Sequence, residues 1–272
     1  MPRARGIAGL CLGGALLLPV AAAAGDLDVL RPGVDWTVTI GAEGRVMPAF
    51  EGSDSYTLRP FPLFDIRRAG TPRRFKSPRD SWTVSFYDTE AFHIGAVGNV
   101  RLPRKESASV DLRGLGDVGW GVELGGFAEY WLSSWWRTRV ELRQGVSGHH
   151  GLVSDFSTDL VLPVAPKLVL SGGPRFSLAT GGALSPYYGV SAAQSATSGL
   201  PTYSTAGGAR SFGLGAQARY EFSAQWASHV YIEYDHLLGS AANSPLVTLR
   251  GSRDQVTTGI GLTYAFDIPA AR

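Results

Sequence analysis

From Asp35 to Phe266 the chain alternates apolar and polar residues with a period of two. Trp36, Val38, Ile40 and Ala42 fall on one face of an extended segment, and Thr37, Thr39, Gly41 and Glu43 on the other. The pattern returns in Trp120, Val122, Leu124, Gly126, Ala128 and Tyr130, and again where Trp136, Thr138, Val140 and Leu142 oppose Arg137, Arg139, Glu141 and Arg143. Leu152, Phe156, Leu160 and Leu162 oppose Asp155, Ser157 and Asp159. Three further runs, 212–222, 226–234 and 256–266, complete the series. Successive side chains of a strand point to opposite faces, so each run reads as a strand between two different surroundings.

Runs of ten or more residues exceed the mean globular strand of about 5–6. They match the roughly 9–11 residues that a tilted strand needs to cross a bilayer. Alternation alone also suits a soluble sandwich with one wet face. The strand length favours a membrane barrel. So do the aromatic residues at run ends (Trp82, Tyr130, Trp131, Trp135, Trp226, Tyr264) and the mid-run charges Arg139, Glu141, Glu233 and Asp235, which suit cross-strand ion pairs. The expected fold is therefore all-β: a transmembrane antiparallel up-and-down β-barrel of about twelve strands, with ten to fourteen compatible. The segments are 35–46, 56–67, 81–88, 91–101, 117–131, 134–147, 150–163, 166–179, 185–195, 209–222, 226–239 and 253–266. With both ends periplasmic, 47–55, 196–208 and 240–252 become external loops. That leaves 68–80 and 102–116 as periplasmic turns longer than such turns usually are. An extra short strand at Arg73-Arg74-Phe75-Lys76-Ser77 would reverse the sidedness of every later loop and turn.

The first 24 residues obey another rule. Arg3 and Arg5 precede the apolar run from Ile7 to Val20, and Ala21 to Ala24 supply small residues for cleavage. This is the pattern of a signal peptide over 1–24, leaving one mature domain over 25–272 that begins near Gly25. The sole cysteine, Cys11, lies within that segment, so the mature chain is expected to lack disulfides, zinc-thiolate sites and thiol nucleophiles. No later stretch is continuously apolar over about 18 residues, and the mean hydropathy of +0.01 suits a two-faced wall. Losing Arg3 and Arg5 from 25 Lys and Arg leaves 23, equal to the 23 Asp and Glu. A neutral chain is a poor partner for nucleic acid.

Five segments resemble the MipA/OmpV family of MltA-interacting outer-membrane proteins. They are VMPAFEGSDSYTLRPFPLFDIRR (46–68), GLGDVGWGVELGGFAEYW (114–131), VELRQGVSGHHGLVSDFS (140–157), YYGVSAAQSATSGLPTYSTAGG (187–208) and HLLGSAANSPLV (236–247). The resemblance implies a non-enzymatic protein of the outer membrane without cofactors. Its best-described family role is tethering a murein lytic transglycosylase and a peptidoglycan synthase. Relatives are also discussed as osmotic-response, adhesive or porin-like proteins. One departure is the end of the chain: barrels commonly finish on an aromatic residue, whereas six residues come after Phe266.

No constellation of catalytic or metal-binding groups emerges. His149 and His150 are adjacent, hence on opposite faces, and sit in a glycine-flanked turn near Ser147 and Asp155 without a nucleophile elbow. His229, Tyr231, Glu233 and Asp235 share one face and read as a polar interior row; two ligands without a third make no metal site. Glu51-Gly52-Ser53-Asp54 is ordinary turn chemistry, with too few oxygens in sight for calcium. The glycine pairs 213/215 and 259/261 match no phosphate loop and are expected to relieve crowding where strands curve. Two basic groups remain, Arg67, Arg68, Arg73, Arg74, Lys76 and Arg79, and Arg101, Arg104 and Lys105. Facing the periplasm they suit peptidoglycan or an acidic enzyme; facing outward they suit lipopolysaccharide phosphates. The functional alternatives are a scaffold, a small channel (about twelve strands lies between filled and open barrels) and a lipid hydrolase using Ser147 or His149.

Overall fold

The computed structural model describes residues 35–70 and 73–269. The expected signal peptide and its cleavage site lie outside the described residues. Eleven strands form one antiparallel sheet: β1 (Trp36–Pro48), β2 (Tyr56–Arg68), β3 (Trp82–Asp88), β4 (Phe92–Arg101), β5 (Gly121–Ser133), β6 (Trp136–Ser147), β7 (Leu152–Ala165), β8 (Leu168–Ala179), β9 (Gly208–Glu221), β10 (Trp226–Leu237) and β11 (Asp254–Ile268). The order is β2-β1-β11-β10-β9-β8-β7-β6-β5-β4-β3, a curled meander with β2 and β3 at its two edges. In register, Trp36 lies opposite Ile268, so the described chain begins and stops at one end of the sheet. Short turns at 89–91, 134–135, 166–167 and 222–225 share that end, while 49–55, 102–120, 148–151, 180–207 and 238–253 occupy the other.

The two faces separate as the alternation requires. β2 alternates exposed and half-buried residues along nearly its whole length, and Leu58, Phe64, Ile66, Ile232 and Ile260 are among many large apolar side chains left bare on the outside. Such a belt costs free energy in water and none in hydrocarbon. Aromatic pairs flank it at the terminal end: Trp135 stacks on Trp136 with centroids 6.2 Å apart, and Trp226 lies against Tyr264 at 4.9 Å.

One connection breaks the meander. β2 ends at the terminal end, where Arg68 lies opposite Trp36. β3 also runs toward that end, finishing with Asp88 opposite His93 of β4. The chain between them must therefore climb back, and residues 73–81 do so through the interior rather than in the wall. The sequence explains the choice. As a strand, 69–81 would turn Arg73 and Arg79 to lipid in one phase, or Arg74, Lys76 and Asp80 in the other. A basic side chain near the midplane costs about 2–4 kcal/mol, and Pro72 and Pro78 remove ladder donors. The edge it leaves on β2 carries Pro60 and Pro62, which have no N–H to offer a further strand.

This corrects three expectations. The described residues of 68–80 are not a turn at the terminal end, and no strand forms over 73–77; the connections from 89–91 to 166–167 are reversed in sidedness all the same, because the segment crosses the barrel, while 180–207 and 238–253 stay at the end expected for 196–208 and 240–252. Residues 102–116 consequently lie among the long loops, not with the turns of the terminal end. The stretch 185–195 is not a strand but spans two helices, α1 (Gly181–Tyr188) and α2 (Ala192–Ser198). Ser191 and Gln194 close a capping box on α2, and Gly199 ends it in the left-handed conformation. Local hydrogen bonding there outweighs the apparent alternation.

The loop end is sealed by a packed cap. α1, α2, α3 (Gly239–Ala242) and α4 (Pro245–Arg250) pack with the 49–55 and 102–120 loops. One apolar cluster joins Val153, Leu184, Tyr187, Tyr188, Leu237 and Val247, and a second joins Phe50, Leu112, Leu115, Leu200 and Leu246. Leu112 and Ala241 are wholly buried. Polar ties finish the seal: Ser244 Oγ donates to Tyr188 O at 2.6 Å and Gln194 Nε2 to Leu115 O at 2.6 Å.

Ile260 is two-thirds exposed in the middle of β11. Ile260→Arg should destabilise the protein in lipid vesicles by about 2–4 kcal/mol, read by urea unfolding; an unchanged midpoint would mean that this face does not meet hydrocarbon.

Candidate functional site

The odd-numbered residues of β6 face the interior and carry four charges in a row, Arg137, Arg139, Glu141 and Arg143, none more than 5% exposed. Charges in such a site must find partners, and each does. Arg137 reaches Asp80 at 2.6 Å, Glu129 at 2.9 Å and Asp159 at 3.2 Å. Arg139 reaches Glu129 at 3.0 Å and Glu141 at 2.8 Å. Arg143 holds Glu123 at 2.8 Å and also pairs with Glu141 and Asp155. Arg175 of β8 joins through Asp159 at 2.7 Å. At the cap side, Glu123 receives His149 Nε2 at 2.8 Å and Arg101 at 3.5 Å. His149 is thus a buried partner of Glu123, and Ser147 Oγ donates to Trp120 O; the two make no nucleophile–base pair.

A second cluster spans three strands. Tyr231 and His229 of β10 lie opposite Gly259 and Gly261 of β11, which in turn lie opposite Arg45 and Glu43 of β1. Reaching across those glycines, His229 Nε2 and Tyr231 Oη each contact Glu43 at 2.8 Å, and Arg45 donates to the same carboxylate at 2.9 Å. A Cβ on Gly261 would come within 2.4 Å of the His229 ring, and one on Gly259 within 2.6 Å of Tyr231. The glycines make space for polar side chains, as expected in kind. The row His229, Tyr231, Glu233 and Asp235 does line the interior.

The climbing segment docks into this lining. Ser77-Pro78-Arg79-Asp80 forms a turn closed by Asp80 N donating to Ser77 O at 3.1 Å, with proline at its second position. The turn sends its two charges opposite ways. Arg79 meets Asp235 of β10 at 2.7 Å and Glu233 at 3.8 Å, while Asp80 meets Arg137 on β6. Arg175 Nη2 donates to Ser77 Oγ at 3.2 Å, and Ser81 Oγ donates to Glu141 at 2.6 Å. Phe75 sets its ring edge-on to Trp131 at 6.4 Å and under the Arg137 guanidinium at 5.1 Å.

The two basic groups read from the sequence therefore lie at opposite ends and differ in character. Arg67 and Arg68 finish β2 opposite Thr37 and Trp36. Arg73 and Lys76 are exposed at the root of the segment, and Arg74 pairs with Asp88 while remaining half exposed. Arg79 turns inward. In the cap, Arg101 pairs with Glu51 and lies 4.0 Å over the Tyr187 ring, Arg104 donates to Tyr187 O at 2.9 Å, and Lys105 meets Asp117 at 2.9 Å in solvent. Glu51, in the Glu-Gly-Ser-Asp turn, ties the 49–55 loop to β4, and Gln255 clamps the same loop by accepting from Gly52 N at 2.9 Å. Burial pushes the Glu51 carboxyl up, but Arg101 and Arg210 more than offset this and hold it below the ordinary carboxylate range. The sequence pointed to Arg139, Glu141, Glu233 and Asp235. It also set Asp159 on the polar face of its run, but it did not mark Asp80, Glu123 or Arg175, whose only signal was parity within a run or, for Asp80, a place two residues after Pro78.

A family model described as MltA-interacting protein MipA matches residues 40–266. No curated protein matches. Among solved structures, the KdgM porin aligns with a TM-score of 0.41 and 8% identity over 84% of this chain and 99% of that one. OmpT of Vibrio cholerae, in a form lacking loop L8, aligns at 0.39 and 9% over 87% and 100%. OprG of Pseudomonas aeruginosa aligns at 0.29 and 13% over 87% and 97%. Likeness at this level carries no functional argument.

Two outcomes are expected. Arg137→Met leaves Asp159, Asp80 and Glu129 short of a buried cation and should cost about 3–5 kcal/mol in urea unfolding; a loss below about 1 kcal/mol, the worth of an exposed pair, would mean that water enters the interior freely. For Glu51 the folded pKa lies below the usual value near 4.5. Its contribution is therefore full above that value and is lost as pH falls through the folded pKa. Protection of the Gly52 and Ser53 amides against hydrogen exchange, taken relative to the intrinsic rate at each pH, should fall in acid, and in Glu51→Gln it should already be low at neutral pH.

Proposed function

Since the chain belongs to the MltA-interacting protein (MipA) family, we propose that it is a non-enzymatic, non-conducting outer-membrane barrel that works as a scaffold. Its partners on this reading are a murein lytic transglycosylase and a peptidoglycan synthase. The observation that carries it is the filled interior: an ion-paired lining, a chain segment docked into it and an apolar cap above. A barrel stopped in this way offers partners a place to bind and no open path to solutes. The bare apolar belt supports residence in the outer membrane, reached through a signal peptide cleaved near Gly25.

Outer-membrane barrels keep short turns in the periplasm and longer loops outside. By that rule the end where the described chain begins and stops, with the short turns and exposed Arg73 and Lys76, looks at the peptidoglycan. The cap then looks outward, where Lys105 lies within reach of lipopolysaccharide phosphates. A transglycosylase or synthase held at the inner end needs no catalytic group from this chain. The buried engagement of His149 and the backbone bond of Ser147 weigh against the hydrolase reading.

Purified protein in detergent should retain the lytic transglycosylase in a pull-down. Arg73→Glu with Lys76→Glu should weaken retention about three- to tenfold, most at low salt, as rim charges do. No retention of transglycosylase or synthase would overturn the scaffold reading. In planar bilayers the same protein should be silent; a reproducible open-state current would favour a channel instead.

A further inference from the structure

Residues 73–81 occupy the interior as a ligand occupies a site, and the manner of their holding differs from that of the rest of the fold. The cap is held by an apolar core, and the wall by strand ladders. The segment is held by ion pairs and hydrogen bonds, with Phe75 as its one apolar anchor. Polar contacts can be exchanged for water or for an equivalent peptide at little net cost, whereas a ladder or an apolar core cannot.

The groove has a definite chemistry. Asp235 and Glu233 on β10 present negative charge to one side of the turn. Arg137 and Arg139 on β6 present positive charge to the other. Arg175 and Glu141 complete it with one donor and one acceptor for hydroxyls. Both oxygens of Glu233 lack a hydrogen-bond partner, although the residue is 93% buried. Its charge is met instead at longer range, by Arg175 Nε at 3.5 Å and Arg79 Nη1 at 3.8 Å, so the segment's Arg79 is shared between two carboxylates and closes a hydrogen bond to Asp235 alone. Access is from the terminal end, where Arg73 and Lys76 are exposed.

The geometry points to a peptide-binding groove in the barrel, with residues 73–81 as its internal, displaceable ligand. The external ligand would be a turn from a periplasmic protein with a basic residue next to an acidic one, flanked by hydroxyl side chains. This rests on the scaffold reading and says how a partner could be gripped, by replacing the segment rather than by touching the rim alone. Tethering gives the internal segment an effective concentration on the order of millimolar, so a partner must bring further contacts or bind where the tether is weakened.

The test uses the full chain with Cys11→Ser and a reporter thiol, Ser77→Cys, at a site only 1% exposed. Alkylation by a charged, water-soluble maleimide should be slow. Adding Arg79→Ala and Asp80→Ala should raise the rate about tenfold or more, since both charged anchors are gone. A synthetic peptide of residues 73–81 (RRFKSPRDS) should then displace the untied segment and raise the rate further, whereas the same peptide with its Arg and Asp exchanged (RRFKSPDRS) should do nothing. An equally slow thiol with and without the anchors would make the segment a fixed part of the fold and overturn the proposal. So would an exposed thiol whose rate neither peptide changes. If the double variant loses its β-sheet circular dichroism, the single Ser77→Cys chain in 1 M salt replaces it. Screening to about 3 Å should speed alkylation there, and no change would again overturn the proposal. The transglycosylase plays no part in these readouts, so a failed pull-down and a failed groove are told apart.

Discussion

Hydrocarbon cannot solvate a charge or a bare peptide group, and that constraint organises the whole molecule. It forces apolar residues outward on each strand and gathers the charges within. Once inside, the charges cannot stand alone either. Arg137 is fully buried against three carboxylates, and Glu43 gathers His229, Tyr231 and Arg45 across the glycines of β11. The interior is thus a consequence of the wall: every polar residue that the outer face refuses must be paired on the inner one.

The same constraint accounts for the odd connection. A segment with charges in both phases has no place in a wall facing lipid, so residues 73–81 fold into the polar interior. Its turn at Ser77–Asp80 separates a cation and an anion toward opposite walls, and β6 and β10 carry the complementary signs. The seam between β2 and β3 is the price of that diversion, and the prolines of β2 lie on its border.

Binding and stability are consequently drawn from different sources. The apolar cap and the strand ladders hold the frame, while the polar interior decides what the frame can hold. On the scaffold reading proposed above, the lined groove and the charged rim toward the terminal end are what such a frame presents to a partner.

Period-two alternation was enough to place all eleven strands within a few residues, β3 as a shorter one among them, because side-chain parity in a strand is a local property. It was also enough to sort Arg139, Glu141 and Glu233 inward. The helices over 181–198 escaped it, although the Ser191–Gln194 capping box stood in plain view, because short apolar stretches fit either period. What no local pattern contains is which carboxylate meets which guanidinium, or that residues 73–81 turn inward. Those depend on strands far apart in sequence coming to face one another, and on the free energy of the two sides of a wall that exists only once the sheet has curled.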